Sequence, residues 1–101
     1  MASSKEFLDY VLGQLSGLDG VTHRAMMGEY LLYRNGKVFG GVYDDRFLLK
    51  VAKASEAAFP DCPRELPYPG AREMIQVDCD GIKERRLLAE VVEKMTRGSR
   101  D

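Results

Sequence analysis

Hydrophobic positions along this chain recur at two periods, helical at the ends and alternating in the middle. Phe7, Leu8, Val11, Leu12 and Leu15 return at helical spacing, which places one apolar stripe on a helix expected over 4–16. Ser3 and Glu6 ahead of it have capping-box spacing, and Gly17 and Gly20 mark its exit. From Val21 the pattern shortens to strands, expected over 21–27, 29–34, 37–43 and 46–51. Asn35-Gly36 is the strongest short-range hairpin signal, because both central residues of a type I′ turn need positive φ. Asp44-Asp45 supplies a second two-residue turn. Ser55–Phe59 reads as a short helix beginning near Lys53. Pro60, Pro63, Pro67 and Pro69 then interrupt regular structure as an internal loop. Glu73–Asp78 alternates again, with Met74, Gln76 and Asp78 on one face and Ile75 and Val77 on the other. Asp80 caps a final helix over 82–96, whose stripe is Leu87, Leu88, Val91, Val92 and Met95, with Arg97 and Gly98 at its stop. The order α-β-β-β-β-α-β-α predicts an α+β fold, a small antiparallel sheet with N- and C-terminal helices.

Two-residue turns also predict register. Arg34 falls opposite Lys37, Tyr33 opposite Val38, Leu31 opposite Gly40, Val42 opposite Phe47 and Val38 opposite Val51. One face then gathers Leu31, Tyr33, Val38, Val42, Phe47, Leu49 and Val51, a core face for the N-terminal helix. The reverse face gathers Tyr30, Leu32, Phe39, Tyr43, Leu48 and Lys50. It is too apolar for open solvent, so a helix, a second copy or a partner must cover it. If it is an interface, Leu48→Asp should disrupt association and spare the fold. Gly40 and Gly41 thin the middle strand, as a close backbone approach or a bulge requires.

Composition narrows the class without naming a chemistry. A chain of 101 residues is expected to be one domain over 1–101, and 45% apolar with 31% charged residues excludes a mainly disordered chain. A net charge of −1 makes no global case for nucleic acid or an anionic membrane. Charge is uneven, however: residues 21–53 carry six Lys/Arg against three Asp/Glu, and 54–82 carry two against six. Cys62 and Cys79 are too few for a disulfide scaffold, lie seventeen residues apart and match no redox pair. No signal peptide or membrane-length apolar run is present in the sequence, so a cytoplasmic location is expected.

Candidate chemistry is sparse. His23 has no nucleophile near it in sequence, and a zinc site would need carboxylates as well. Asp44, Asp45, Asp78 and Asp80 are explained by turns and caps, and the glycines form no phosphate loop. No catalytic, cofactor-binding or metal-ligating residue is therefore assigned. Lys50 stands out, because it projects from an apolar face and either snorkels or meets a partner's carboxylate or phosphate. Arg34, Lys37, Arg46 and Lys50, with Tyr30 and Tyr43, sketch an alternative nucleic-acid contact surface without a recognition helix.

Met26-Met27-Gly28-Glu29-Tyr30, followed by Leu32-Tyr33, Asn35-Gly36-Lys37, Phe39 and Leu48-Leu49-Lys50-Val51, resembles the TfoX N-terminal domain family. Met26, Gly28 and Tyr30 match its pattern. Met27 stands where Phe is usual and Glu29 where a second Gly is usual. Met74 matches a downstream Met, while Ile75-Gln76 replace a common Tyr pair. The resemblance implies a small α+β domain without catalytic residues, related to the N-terminal domain of bacterial competence regulators that act in transcription regulation. Some of those carry a second, C-terminal domain, and none is expected here. The function expected is a non-enzymatic protein-interaction or regulatory module with a protein partner or a second copy, as a homodimer. Its contacts would be Tyr30, Leu32, Phe39, Tyr43, Leu48 and Lys50. A nucleic-acid-binding accessory protein is the alternative, followed by a small-ligand-binding protein.

Overall fold

In the computed structural model, which describes residues 4–77 and 82–96, the first helix, α1 (Lys5–Gln14), is capped by Ser4. The Phe7 amide donates to Ser4 Oγ at 3.1 Å, and the Ser4 amide donates to the Asp45 carboxylate at 2.8 Å. A turn acid thus reaches the positive end of the helix from far along the chain. The expected roles of Ser3, Asp78, Cys79, Asp80, Arg97 and Gly98 lie outside the described residues.

Strands β1 (Val21–Met26), β2 (Glu29–Arg34), β3 (Lys37–Tyr43) and β4 (Arg46–Leu49) follow. They are joined by Met27-Gly28, Asn35-Gly36 and Asp44-Asp45, and all six of these residues have positive φ. The first strand stops one residue short of expectation because Met27 belongs to a turn. Helix α2 (Lys53–Ala58), strands β5 (Arg64–Glu65) and β6 (Met74–Gln76), and helix α3 (Ile82–Thr96) complete the described chain. Strand β5 sits inside the proline-rich stretch, where sequence reading expects only loop. A proline keeps its carbonyl, and Pro63 O accepts the Gln76 amide at 2.9 Å.

The sheet is antiparallel, ordered β1-β2-β3-β4-β6-β5. Leu8, Val11 and Leu15 from the N-terminal segment, Phe59 after α2, and Leu88, Val91 and Val92 from α3 form one core with a single sheet face. That face presents Leu32, Phe39, Val42, Phe47, Leu49, Ile75 and Val77.

Register corrects the expected faces. Arg34–Lys37, Tyr33–Val38 and Val42–Phe47 pair as expected, but Leu32 pairs with Gly40 and Leu31 with Gly41. Phe39 is left between, so β3 bulges there. Side-chain parity flips across the bulge, so Val42, Phe47 and Leu49 share the helix side with Leu32 and Phe39. Leu31, Tyr33 and Val38 belong to the other side. The ladder between β3 and β4 ends at Gly40–Leu49, so Val38 and Val51 do not pair. Gly40 makes the bulge fit: a Cβ there would lie 2.3 Å from Leu48 O and 3.1 Å from Leu49 Cα. Full burial of the Phe39 ring offsets the irregular pairing by about 2–3 kcal/mol.

Candidate interaction face

The sheet face away from the helices divides into two halves. Over β3, β4 and β6 it is roofed by the proline-rich segment, beneath which Tyr43, Leu48 and Met74 are buried with Leu31 packed against them. Gly41 carries no Cβ, and one added there would lie 2.8 Å from Tyr43 Cε2, so the Tyr43 ring lies over this glycine. The Tyr68 ring stands 6.4 Å from that of Tyr43. Burial pushes the Tyr43 phenol pKa up, and the neighbouring Tyr68, Glu29 and Tyr33 add to the rise.

Arg46 fastens the roof. Its guanidinium donates to Tyr43 O at 3.2 Å, to Glu65 Oε1 at 3.4 Å and to Leu66 O at 3.3 Å. Arg64, on the same segment, meets Glu56 of α2 at 3.1 Å. Between roof and sheet lies a cleft of about 600 Å³. Tyr43, Tyr68, Val38, Val51 and Met74 supply rings and aliphatic surface there, and Lys50, Arg64, Arg72 and Glu73 supply charge.

Lys50 is held by its backbone. Its amide donates to Phe39 O at 3.0 Å, and its carbonyl accepts from Ser55 Oγ at 2.8 Å. Ser55 is fully buried and also accepts the Ala52 amide at 2.9 Å. One hydroxyl therefore starts α2 and anchors the end of β4, leaving the exposed Lys50 side chain at the cleft.

The other half, over β1 and β2, has no roof among the described residues. Pairing places Arg24 beside Leu31 and Thr22 beside Tyr33, with Met26 on the same side. Leu31 and Tyr33 are half-buried, and Met26 is 45% exposed. At the adjoining turn Met27 is 96% exposed.

The six residues expected to form one contact face do not share one. Leu32 and Phe39 are fully buried in the helix-side core, and Tyr30 packs against it. Tyr43, Leu48 and Lys50 lie on the other side, but Leu48 is fully buried there. The bulge is the cause, because a period of two converts one extra residue into a change of face. The alternating pattern puts Leu31 and Tyr33 in the core, gives Met26 no place on a contact face, and does not single out Tyr68 or Arg72. The paired glycines were the available signal for the first error, and an aromatic among prolines for Tyr68.

The basic set is likewise dispersed. Arg34 donates to Asp19 O at 3.0 Å and to Thr96 Oγ1 of α3 at 3.2 Å, so it closes the helix side. Arg46 is committed to the roof, Lys37 sits exposed beside the Asn35-Gly36 turn, and Lys50 lines the cleft. His23 is exposed on β1 and meets the Tyr30 ring edge-on at 6.0 Å. Cys62 packs against the helix-side core. Among the described residues, no group of three or more His, Cys, Asp or Glu is placed to hold a metal ion, and no helix is long and apolar enough to cross a membrane.

The model of the TfoX N-terminal domain family matches residues 13–97 of this chain. The chain is also similar to the "uncharacterized 12.7 kDa protein in trpE 5′region" of Spirochaeta aurantia, at 36% identity over 73 residues. That match covers 72% of this chain and 64% of the relative, so the chain spans less than two-thirds of the relative's length.

Proposed function

The chain belongs to the TfoX N-terminal domain family, and from that membership we propose that it works as a cytoplasmic, non-enzymatic protein-interaction or regulatory module. Its contact surface is the unroofed β1–β2 half of the helix-free face, and its partner is a second copy of the chain. The observation that carries this reading is the exposure of Met26 and the fully presented Met27 beside half-buried Tyr33 and Leu31, with Thr22 and Arg24 between them and Leu31 bordering the roofed cluster. Exposed apolar area of this kind is covered favourably by association. The dispersal of Arg34, Lys37, Arg46 and Lys50 gives the nucleic-acid alternative no comparable surface.

Light scattering after size-exclusion chromatography, over a concentration series, tests the reading. A dimer is expected, and Met26→Glu with Tyr33→Glu should return it to monomer while preserving the circular dichroism spectrum. A strict monomer throughout the series rejects self-association. A dimer untouched by the double substitution rejects this surface.

A further inference from the structure

The roofed half of the same face carries a separate inference. The cleft between the proline-rich segment and the sheet combines an apolar interior with excess positive charge. Lys50, Arg64 and Arg72 face one carboxylate, Glu73, among its lining residues. Arg64 is already paired with Glu56. Among the described residues, no hydrogen bond or ion pair engages the Lys50 ammonium or the Arg72 guanidinium. The backbone at Lys50 is nevertheless fixed on both sides, through Phe39 O and Ser55 Oγ. Held in this way, the lysine loses less freedom on meeting a ligand than one on a loose loop.

The interior complements those charges. Tyr43 and Tyr68 provide ring surface, and Val38, Val51 and Met74 provide aliphatic surface. A volume of about 600 Å³ lies within the usual range for small-molecule sites, where apolar walls supply area and a few polar groups fix orientation. We infer that this cleft binds a small organic anion, with a carboxylate or phosphate head at Lys50 and Arg72 and an aromatic or aliphatic body against Tyr43, Tyr68 and Met74. This inference does not rest on the self-association reading, because the cleft and the β1–β2 strip occupy different halves of the face.

Amide chemical-shift titration of the full chain with phenyl phosphate, 3-phenylpropionate, inorganic phosphate and benzyl alcohol tests it. Saturable shifts at Tyr43, Lys50, Val51 and Arg72 are expected with at least one of the two aromatic anions. Whether phenyl phosphate or phenylpropionate binds more tightly tells which head group the site takes. Inorganic phosphate and benzyl alcohol should each bind more weakly, since each lacks half of the complement. Lys50→Gln and Arg72→Gln, both surface changes, should each weaken the better aromatic anion roughly tenfold, as loss of a charged hydrogen bond does. The absence of cleft shifts up to about 10 mM of either aromatic anion, a range that captures weak small-ligand binding, overturns the inference. So does benzyl alcohol binding as tightly as the anions, or an affinity unchanged in both variants. Oligomeric state, read by light scattering, is independent of these outcomes.

Discussion

Gly40→Ala tests the bulge that assigns the two faces. The added methyl would stand 2.3 Å from Leu48 O, 3.1 Å from Leu49 Cα and 3.3 Å from the Leu48 carbonyl carbon. An ordinary contact between carbon and a carbonyl oxygen is about 3.3 Å or more, so β3 and β4 must separate locally by roughly 1 Å. The obstacle is backbone, which cannot swing aside as a side chain can. Overpacking of this kind costs about 1–3 kcal/mol. Loosening the adjacent ladder weakens one or two hydrogen bonds of about 1 kcal/mol each. Reduced freedom of the unfolded chain returns about 0.4–1 kcal/mol. The net loss is about 1–5 kcal/mol and centres near 3 kcal/mol, a central value that in a domain of this size lowers Tm by roughly 12–24 °C.

Thermal unfolding followed by circular dichroism, with guanidinium midpoints alongside, measures the effect. Gly13→Ala serves as the control, because Gly13 lies within α1 and an added Cβ meets nothing within 4 Å. It should raise stability by about 1 kcal/mol through helix propensity alone. A Gly40→Ala protein that melts within about 4 °C of the parent, equivalent to less than 1 kcal/mol, would refute the close approach and the face assignment built on it.

Leu48→Asp should unfold the chain rather than dissociate it, because Leu48 is fully buried under the roof and an unpaired carboxylate there is strongly destabilising. A folded variant with an unchanged melting temperature would contradict this. Ser55→Ala leaves the Ala52 amide and the Lys50 carbonyl without their side-chain partner, and a cost of about 1–3 kcal/mol should appear as a lower denaturant midpoint with an unchanged slope. Tyr43 is expected to ionise above the ordinary phenol value, owing first to burial and then to Tyr68, Glu29 and Tyr33. The folded chain then keeps a proton that the unfolded chain releases, so this stabilisation is full below about pH 10 and is lost as pH rises through the raised folded value. Tyr43→Phe should remove that part of the alkaline stability loss, and identical pH profiles for parent and variant would exclude it.

Much of the fold is legible in local chemistry. The apolar stripe from Phe7 to Leu15 specifies a buried helix face whatever surrounds it. Asn35-Gly36 and Asp44-Asp45 specify tight turns because few residues tolerate positive φ. The alternation at Met74, Ile75, Gln76 and Val77 predicts its own faces correctly, since no bulge interrupts it. The candidate site is less legible. Its residues come from strands and from a proline-rich roof far apart in sequence, and no local pattern says that Arg46 will tie Glu65 and Leu66 over Tyr43.

By itself, then, the sequence determined every element but β5, the hairpin turns and the fact that both sheet faces carry apolar residues. Only the tertiary structure decided which face the helices cover. Gly40-Gly41 announced an irregularity, but Phe39 had two sites to choose between, and a shift of one residue exchanged them. That choice rests on whether the ring packs better against α1 and α3 or on the opposite face. Such a comparison involves residues distant in the chain, so no period read along a single strand contains it.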